Sequence, residues 1–558
     1  MARERFSPTL IKCEKMMNSL TKPSALLAAL TLAQILALSG CGGSGDEIEA
    51  PAPEKVYPDY TQVTALGGDT TTFDASSSGH GYSTPAVNLS EAQLAQHLSG
   101  DLNFETAFTT APNEEHPELD GLGPVFNNAD CNSCHQRDGR NSTPIVPAGQ
   151  ARIKLGSEAG IFLRISKAPD QACLEPSTEN NYCAPIPVPN FGTQLFHRGV
   201  LKAREDWQQN LFGGQADVYL SFEQKKVTYP DGTEVTLKKP LFTVENPFDA
   251  PGESLTSSNV TSELLQSDVL MGWRNGMPVF GLGLLEAIPE ASILALVDEN
   301  DADGDGISGR ANLVFDAVKA QRGDSHPVSL GRFGWKANTP SVRVQSLGAL
   351  RGDIGITNPL FPEESIAGTS MHDSYLARTG FVDTGSGVDG EPEASAEFSD
   401  DVVFYAETLA VPARRQVDDA KVREGARLFE QVNCSGCHQP KFVTKSSGEI
   451  GGLPMIVALK GQTIYPFSDM LLHDMGEGLS DGRPDFLASG SEWRTRPLWG
   501  IGLTQTVNPQ AGFLHDGRAA SVEEAILWHG GEAQASTDKF MALTQAERAQ
   551  LLAFVMSL

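Results

Sequence analysis

Cys131-Asn-Ser-Cys134-His135 and Cys434-Ser-Gly-Cys437-His438 are the two stretches whose reading decides the fold. With 8 Cys and 11 His in 558 residues, chance would place one such pattern roughly 0.002 times, so two are not accidental. The spacing has a chemical reason. Two thiols three positions apart on one turn reach the two vinyl groups of a porphyrin edge, and the adjacent His binds the iron beneath the ring. A redox dithiol or half of a zinc site would use the cysteines without needing a His after each pair. The motifs therefore predict two covalently bound haem c groups, with His135 and His438 as proximal iron ligands.

Outward from the second motif the pattern is helical. Ala420 to Val432 carries Val422, Ala426, Phe429 and Val432 near helical spacing and runs straight into Cys434. The chain closes with Thr544 to Met556, where Thr544 and Glu547 make a capping box. A helix leading into the haem motif and a terminal helix packing on it is the cytochrome c arrangement. Before the first motif, Ser90-Glu-Ala-Gln-Leu reads as a capped helix start. After it the reading turns to strand. Residues 151–156 and 161–166 alternate, and Pro230-Asp231-Gly232 supplies the turn of a hairpin around 227–237. Residues 261–298 read as more helical.

The expected fold class is mainly α with long loops: two cytochrome c-like haem domains, the first enlarged by a β-rich insertion at about 150–245. The expected divisions are a signal and lipid-attachment segment (1–41), a tether (42–88), an N-terminal haem domain (89–410) and a C-terminal one (411–558). The glycine- and acid-rich stretch 383–401 suits a junction. Gly (55) and Pro (34) favour loops over bundles.

Apolar residues at 40% and charged residues at 20% describe a folded chain. The net charge of −29 repels nucleic acid and anionic lipid headgroups, so a nucleic-acid partner is excluded. It suits a basic partner, and equally a protein that needs solubility in a salty setting. Lys22 precedes the apolar, uncharged run Ser24–Ser39, a signal-peptide core too short for a confident span. That run ends in Leu38-Ser39-Gly40-Cys41, which resembles a bacterial lipobox with Cys41 as the lipid anchor. Gly42 follows, with no Asp there to favour the inner membrane. The expected address is the periplasmic side of the outer membrane of a Gram-negative bacterium, with the membrane reached by the lipid alone. Cys173 and Cys183 stand in a Pro/Asn-rich stretch, where an oxidising compartment favours a local disulfide over a catalytic dithiol.

Eight stretches together resemble the bacterial di-haem oxidoreductases sometimes labelled thiol oxidoreductase-like, relatives of di-haem cytochrome c peroxidases and of the di-haem enzymes that mature methylamine dehydrogenase. They are GPVFNNADCNSCH, FGLGLLEAIPE, DADGDGISGR, LGRFGWKA, LFEQVNCSGCH, LLHDMGEG, EWRTRPLWGIGL and FLHDGRAASVEEAILWHGG, spread over residues 100–558. The β-rich segment has no counterpart in the small peroxidases.

The resemblance implies roles. The sixth ligand of the second haem should follow the His515-Asp516-Gly517 segment, at His529, with Met475 as runner-up because a thioether also ligates haem c. For His515, His473 and Met475 the alternative is packing beside a haem or holding its propionates, and for His515 that alternative is favoured. The first haem should be the reactive one. Peroxide cleavage there needs a group that moves a proton between the two oxygens, and Glu286 in its apolar run is the candidate; a lone Glu in such a run often only caps or pairs. Trp335 could relay electrons, with core packing the blander reading. Asp301, Asp303, Asp305 and Gly306 form the first half of an EF-hand-like loop, but Asn312 stands where the bidentate Glu should be. Calcium and a solvated acidic turn both stay open.

Electrons would then pass from the C-terminal haem to a substrate, hydrogen peroxide by default, at the N-terminal haem. A small cytochrome or cupredoxin would be the electron partner, and the resemblance includes homodimers. A non-catalytic electron-transfer lipoprotein, working with a periplasmic or iron-uptake partner, is the competing function.

Overall fold

The computed structural model describes residues 56–74, 77–110, 113–156, 160–169, 183–199, 214–247, 263–379 and 392–558. The signal segment, Cys41 and the expected tether up to residue 55 lie outside them, as does Cys173, so the expected disulfide does too. Val56–Leu558 forms one compact unit with a continuous apolar core. Among the described residues no helix is long and apolar enough to cross a membrane.

Two helix pairs carry the haem motifs, and they are built alike. In the first, α1 (Glu91–Glu105) begins in a capping box made by Ser90 and Gln93. It crosses α2 (Ala396–Thr408). In the second, α3 (Ala420–Gln431), started by Asp419, crosses α4 (Gln545–Ser557), started by the Thr544–Glu547 capping box. Each crossing has a glycine at its closest point. A Cβ on Gly100 would stand 2.2 Å from Asp401 O, and one on Gly425 would stand 2.0 Å from Gln550 O. Four residues on from each glycine, Phe104 meets Tyr405 at 5.3 Å and Phe429 meets Phe554 at 5.2 Å between ring centroids. Spacing of four puts glycine and aromatic on one helix face. The small residue lets the backbones close and the large one fills the space beyond.

The rest is not helical in the proportion expected. The described residues are 31% helix and 19% strand, the strand divided among many small sheets. This corrects the expectation of a mainly α, cytochrome c-like molecule. Two features account for it. First, strands β1 (Ile153–Lys154), β2 (Ile161–Lys167), β3 (Gln194–Leu195), β4 (Asp217–Thr228), β5 (Glu234–Glu245) and β6 (Val269–Asn275) form two three-stranded sheets. β6, lying in a stretch read as helical, pairs antiparallel with β2 along its whole length, Ile161 opposite Asn275 and Lys167 opposite Val269. Its apolar residues satisfy either period until that distant partner is known. Second, the Gly- and Pro-rich loops close into two-residue and three-residue ribbons, among them β7 (Leu472–Asp474) against β8 (Glu492–Arg494).

The β4–β5 hairpin is a strut between the two halves. Its turn reaches the C-terminal helices, where Tyr229 donates to Glu523 at 2.8 Å and Asp231 pairs with Arg548 at 2.6 Å. The Arg548 guanidinium lies 3.9 Å from the centroid of the Tyr229 ring.

Candidate functional site

Both motifs open onto one largely apolar cavity, lined by Cys131, Cys134 and His135 on one side and Cys434, Cys437 and His438 on the other. Each motif is a tight turn, with His135 N–H donating to Cys131 O and His438 N–H to Cys434 O, both at 3.0 Å. None of the four cysteines is in a disulfide. Burial pushes all four thiols up, Cys134 and Cys434 to about 12. Thiols held protonated at neutral pH do not suit dithiol exchange.

The two motif histidines are held alike. His135 Nδ1 donates to Met277 O at 2.6 Å, and His438 Nδ1 to Phe467 O at 2.9 Å. Such a bond fixes the tautomer and leaves Nε2 as the ligating nitrogen. Burial pushes both imidazoles down, His438 to about 4, so both are neutral. The rings lie at the same distance from their helix aromatics, 6.3 Å for Phe104–His135 and 6.3 Å for Phe429–His438.

The cavity also carries arginines that no carboxylate pairs. Arg140, Arg494 and Arg496 line it, the first two buried and the third half-buried, and none makes an ion pair with a carboxylate among the described residues. Arg140 gives one bond to Leu514 O and its Nε has no partner; Arg494 bonds only to uncharged acceptors such as Gly334 O. Burial pushes Arg140 and Arg494 down to about 9 and Arg496 to about 10. Buried, uncompensated guanidiniums are costly. The carboxylates of a haem would supply the missing charge, so the residues fit that group.

The other expected residues separate. His529 lines the cavity with His438, and its Nδ1 donates to Ala525 O at 2.7 Å, which again leaves Nε2 for a ligand. Met475 lines the same cavity. His473 has both nitrogens taken by carboxylates, Nε2 by Asp469 and Nδ1 by Glu532, each at 2.8 Å. Those bonds outweigh burial, push it up and keep it charged, which removes it as a ligand. His515 is stacked on Trp493, 3.7 Å between centroids and 12° between planes, and meets Trp335 edge-on at 6.4 Å. The Arg140 and Arg496 guanidiniums lie 5.2 and 5.1 Å from the centroid of the Trp335 ring, whose indole N–H donates to Asn275 O.

Glu286 does not line the cavity, although its neighbour Leu285 does. Its carboxylate accepts from Val342 N–H at 2.8 Å and faces Glu407 beneath Gly451. The carboxylates that do line the cavity near the first motif are Asp130 and Asp353. Asp353 accepts from Gln194 Nε2 at 2.6 Å and sits in a wide π-turn, Leu350–Ile354, a distortion frequent at functional sites. Nothing in the local sequence pattern marks Asp353. Arg494 and Arg496 stood inside a quoted motif without any sign of where they point.

In the acidic loop, oxygens of Asp298, Asp301 and Asp303 come within 4.8 Å of one another. Asp305 instead accepts from Ile307 N–H. The loop runs on into Ile307, which lines the cavity, and Ser308, whose N–H donates to Glu532 at 2.8 Å.

A family model described as "Di-haem oxidoreductase, putative peroxidase" matches residues 60–558. No curated protein and no solved structure matches the chain.

Proposed function

We propose that this chain, which belongs to the di-haem oxidoreductase family, is a peroxidase-like enzyme carrying two thioether-linked haem c groups. Cys131 and Cys134 would hold one and Cys434 and Cys437 the other, with His135 and His438 as proximal ligands. When bound, the haems supply one-electron redox chemistry, the C-terminal site taking electrons in and the N-terminal site delivering them to hydrogen peroxide.

The protein's own residues divide that work. His529 would supply a second nitrogen ligand to the iron held by His438. Asp353, which lines the cavity where Glu286 does not, is the carboxylate that would move a proton at the first site. Arg140, Arg494 and Arg496 would neutralise the haem carboxylates. The apolar cavity walls exclude water. The reading further includes a lipid anchor at Cys41 facing the periplasm, a small cytochrome or cupredoxin as electron partner, and calcium at the Asp298–Asp305 loop.

One observation carries the reading: the two sites are unequal. A second histidine, His529, stands close enough to His438 for their charges to interact, while the other histidine of the cavity with no carboxylate on both nitrogens, His515, is locked flat against Trp493.

The test is absorption and EPR spectroscopy of the oxidised, haem-loaded protein with and without peroxide. A high-spin signal from one haem, lost with peroxide, is expected. Two low-spin signals unchanged by peroxide, before and after partial reduction, would overturn the enzyme reading in favour of an electron carrier.

A further inference from the structure

His473 lines the cavity but is kept from the iron by the carboxylates on both its nitrogens. Those carboxylates belong to opposite sides of the second site. Asp469 is on the motif side. Its N–H donates to Cys437 O at 3.0 Å, two residues after Phe467, whose carbonyl takes the His438 imidazole. Glu532 is on the other side, three residues after His529. Its Oε2 accepts from His473 Nδ1 and from Ser308 N–H, and its Oε1 from Asp474 N–H at 2.9 Å.

A carboxylate can only accept, so both nitrogens of His473 carry protons and the ring is a cation. Its Nδ1 also lies 3.7 Å from Cys437 Sγ. At the first motif the donor to the corresponding sulfur, Cys134 Sγ, is the neutral amide of Asn128 at 2.9 Å. Asp469, His473 and Glu532 thus form a charged clip from the second motif to the segment of His529.

The clip also reaches Met475, the residue after Asp474. The two segments pass in backbone contact. A Cβ on Gly531 would stand 2.1 Å from Asp474 O, and one on Gly476 would stand 2.8 Å from Gly531 N. Both glycines have positive φ, 56° and 72°, which suits glycine and strains other residues. The His529 imidazole and the Met475 thioether, two groups able to take a sixth position on iron, therefore stand on adjoining segments and line the same cavity. Glycine follows each of them, so the turns beyond have little side chain to pack, and Glu532 ties both.

We propose that His473 is a positioning residue of the second site: clipped between Asp469 and Glu532, it seats His529 on the iron and holds the Met475 thioether away. This rests on His529 being the sixth ligand.

The test is magnetic circular dichroism and spectroelectrochemical titration of the haem-loaded full chain. Thioether ligation raises a haem potential, whereas loss of a nearby cation lowers one, so the sign of the shift separates seating from charge alone. In H473Q the potential of the second haem should rise and a thioether-to-iron charge-transfer band should appear. H473Q/M475L should lose both changes. E532A, which gives up all three bonds from the His529 side, should repeat H473Q. The first haem should keep its spectrum and potential throughout. A pyridine haemochrome count of two haems per chain identifies folded variants, and E532A decides alone where H473Q does not reach it. The proposal is overturned if both variants keep the spectrum of the unaltered protein, or if the potential falls without a thioether band. It is also overturned if the second iron becomes high-spin with no such band, because Met475 then does not compete. H529A tests the premise. If it leaves the second haem's spectrum unchanged, His529 is not the ligand and both statements fall. If it alters that spectrum while H473Q and E532A do not, only the clip falls.

Discussion

The α1–α2 and α3–α4 pairs show the same crossing with opposite surroundings. Inside, both use glycine and aromatic four residues apart, and both set a motif histidine 6.3 Å from the helix aromatic. Outside, α1 shows leucines to solvent, while α3 has Arg423 and Arg427, the latter paired with Glu424, and is met by the segment through Tyr60, whose hydroxyl donates to Glu430 at 2.5 Å. The crossing constrains what must pack, and only that. Whatever differs between the pairs is set by what each half meets or does.

The largest test of this likeness is haem loading. His135→Ala and His438→Ala should each remove one haem, taking the pyridine haemochrome count from two to one with the surviving spectrum intact. Loss of both haems from either variant would show that the halves do not load independently. His529→Ala should keep both haems and change the spin state of the second alone.

Next come the glycines. Gly100→Ala and Gly425→Ala each drive a Cβ to about 2 Å from a carbonyl oxygen. Alanine's better helix propensity returns only about 1 kcal/mol, whereas such overpacking should cost about 3 kcal/mol or more. Thermal melts should show both variants destabilised to a similar degree. If only one is, the crossings are not equivalent.

A third test separates the halves. Burial pushes Glu286 up to about 7, and burial together with the Glu286 charge raises Glu407 as well. At the place of Glu407, α4 has Met556. Because these carboxyls bind protons more tightly folded than unfolded, their stabilising effect is full below the ordinary carboxylate range. It is lost as pH rises through about 7. Denaturant titrations should therefore show a fall of about 2–3 kcal/mol from pH 4.5 to 7. Glu286→Gln should flatten part of it, and an unchanged profile would mean that the carboxyls do not share a site.

The two motifs, the helix caps and the β4–β5 turn were legible because each depends on a few adjacent residues. The cavity was not. Asp353 reaches it through a π-turn, Arg140 and Arg496 converge on Trp335 from positions far apart in sequence, and Glu286 turns away from the haem side of its own helix. Strand β6 was misjudged for the same reason, since its partner β2 lies a hundred residues earlier. The duplication of the helix pairs was also hidden, because glycine and an aromatic are all the two crossings share.

The smallest effect concerns the strut that ties the unequal halves together. Tyr229 is buried at the hairpin turn, and its hydroxyl donates to Glu523 on the short helix Val522–Leu527, which leads to His529. Tyr229→Phe removes that bond and keeps the ring against Arg548. It should cost only about 1 kcal/mol in stability. If the strut positions the second site, the midpoint potential of the second haem should shift while the first stays fixed, because the Glu523 helix carries His529 and nothing near His135. Equal shifts at both haems would mean that the hairpin braces the whole cavity, and that the halves are less separate than their helix pairs suggest.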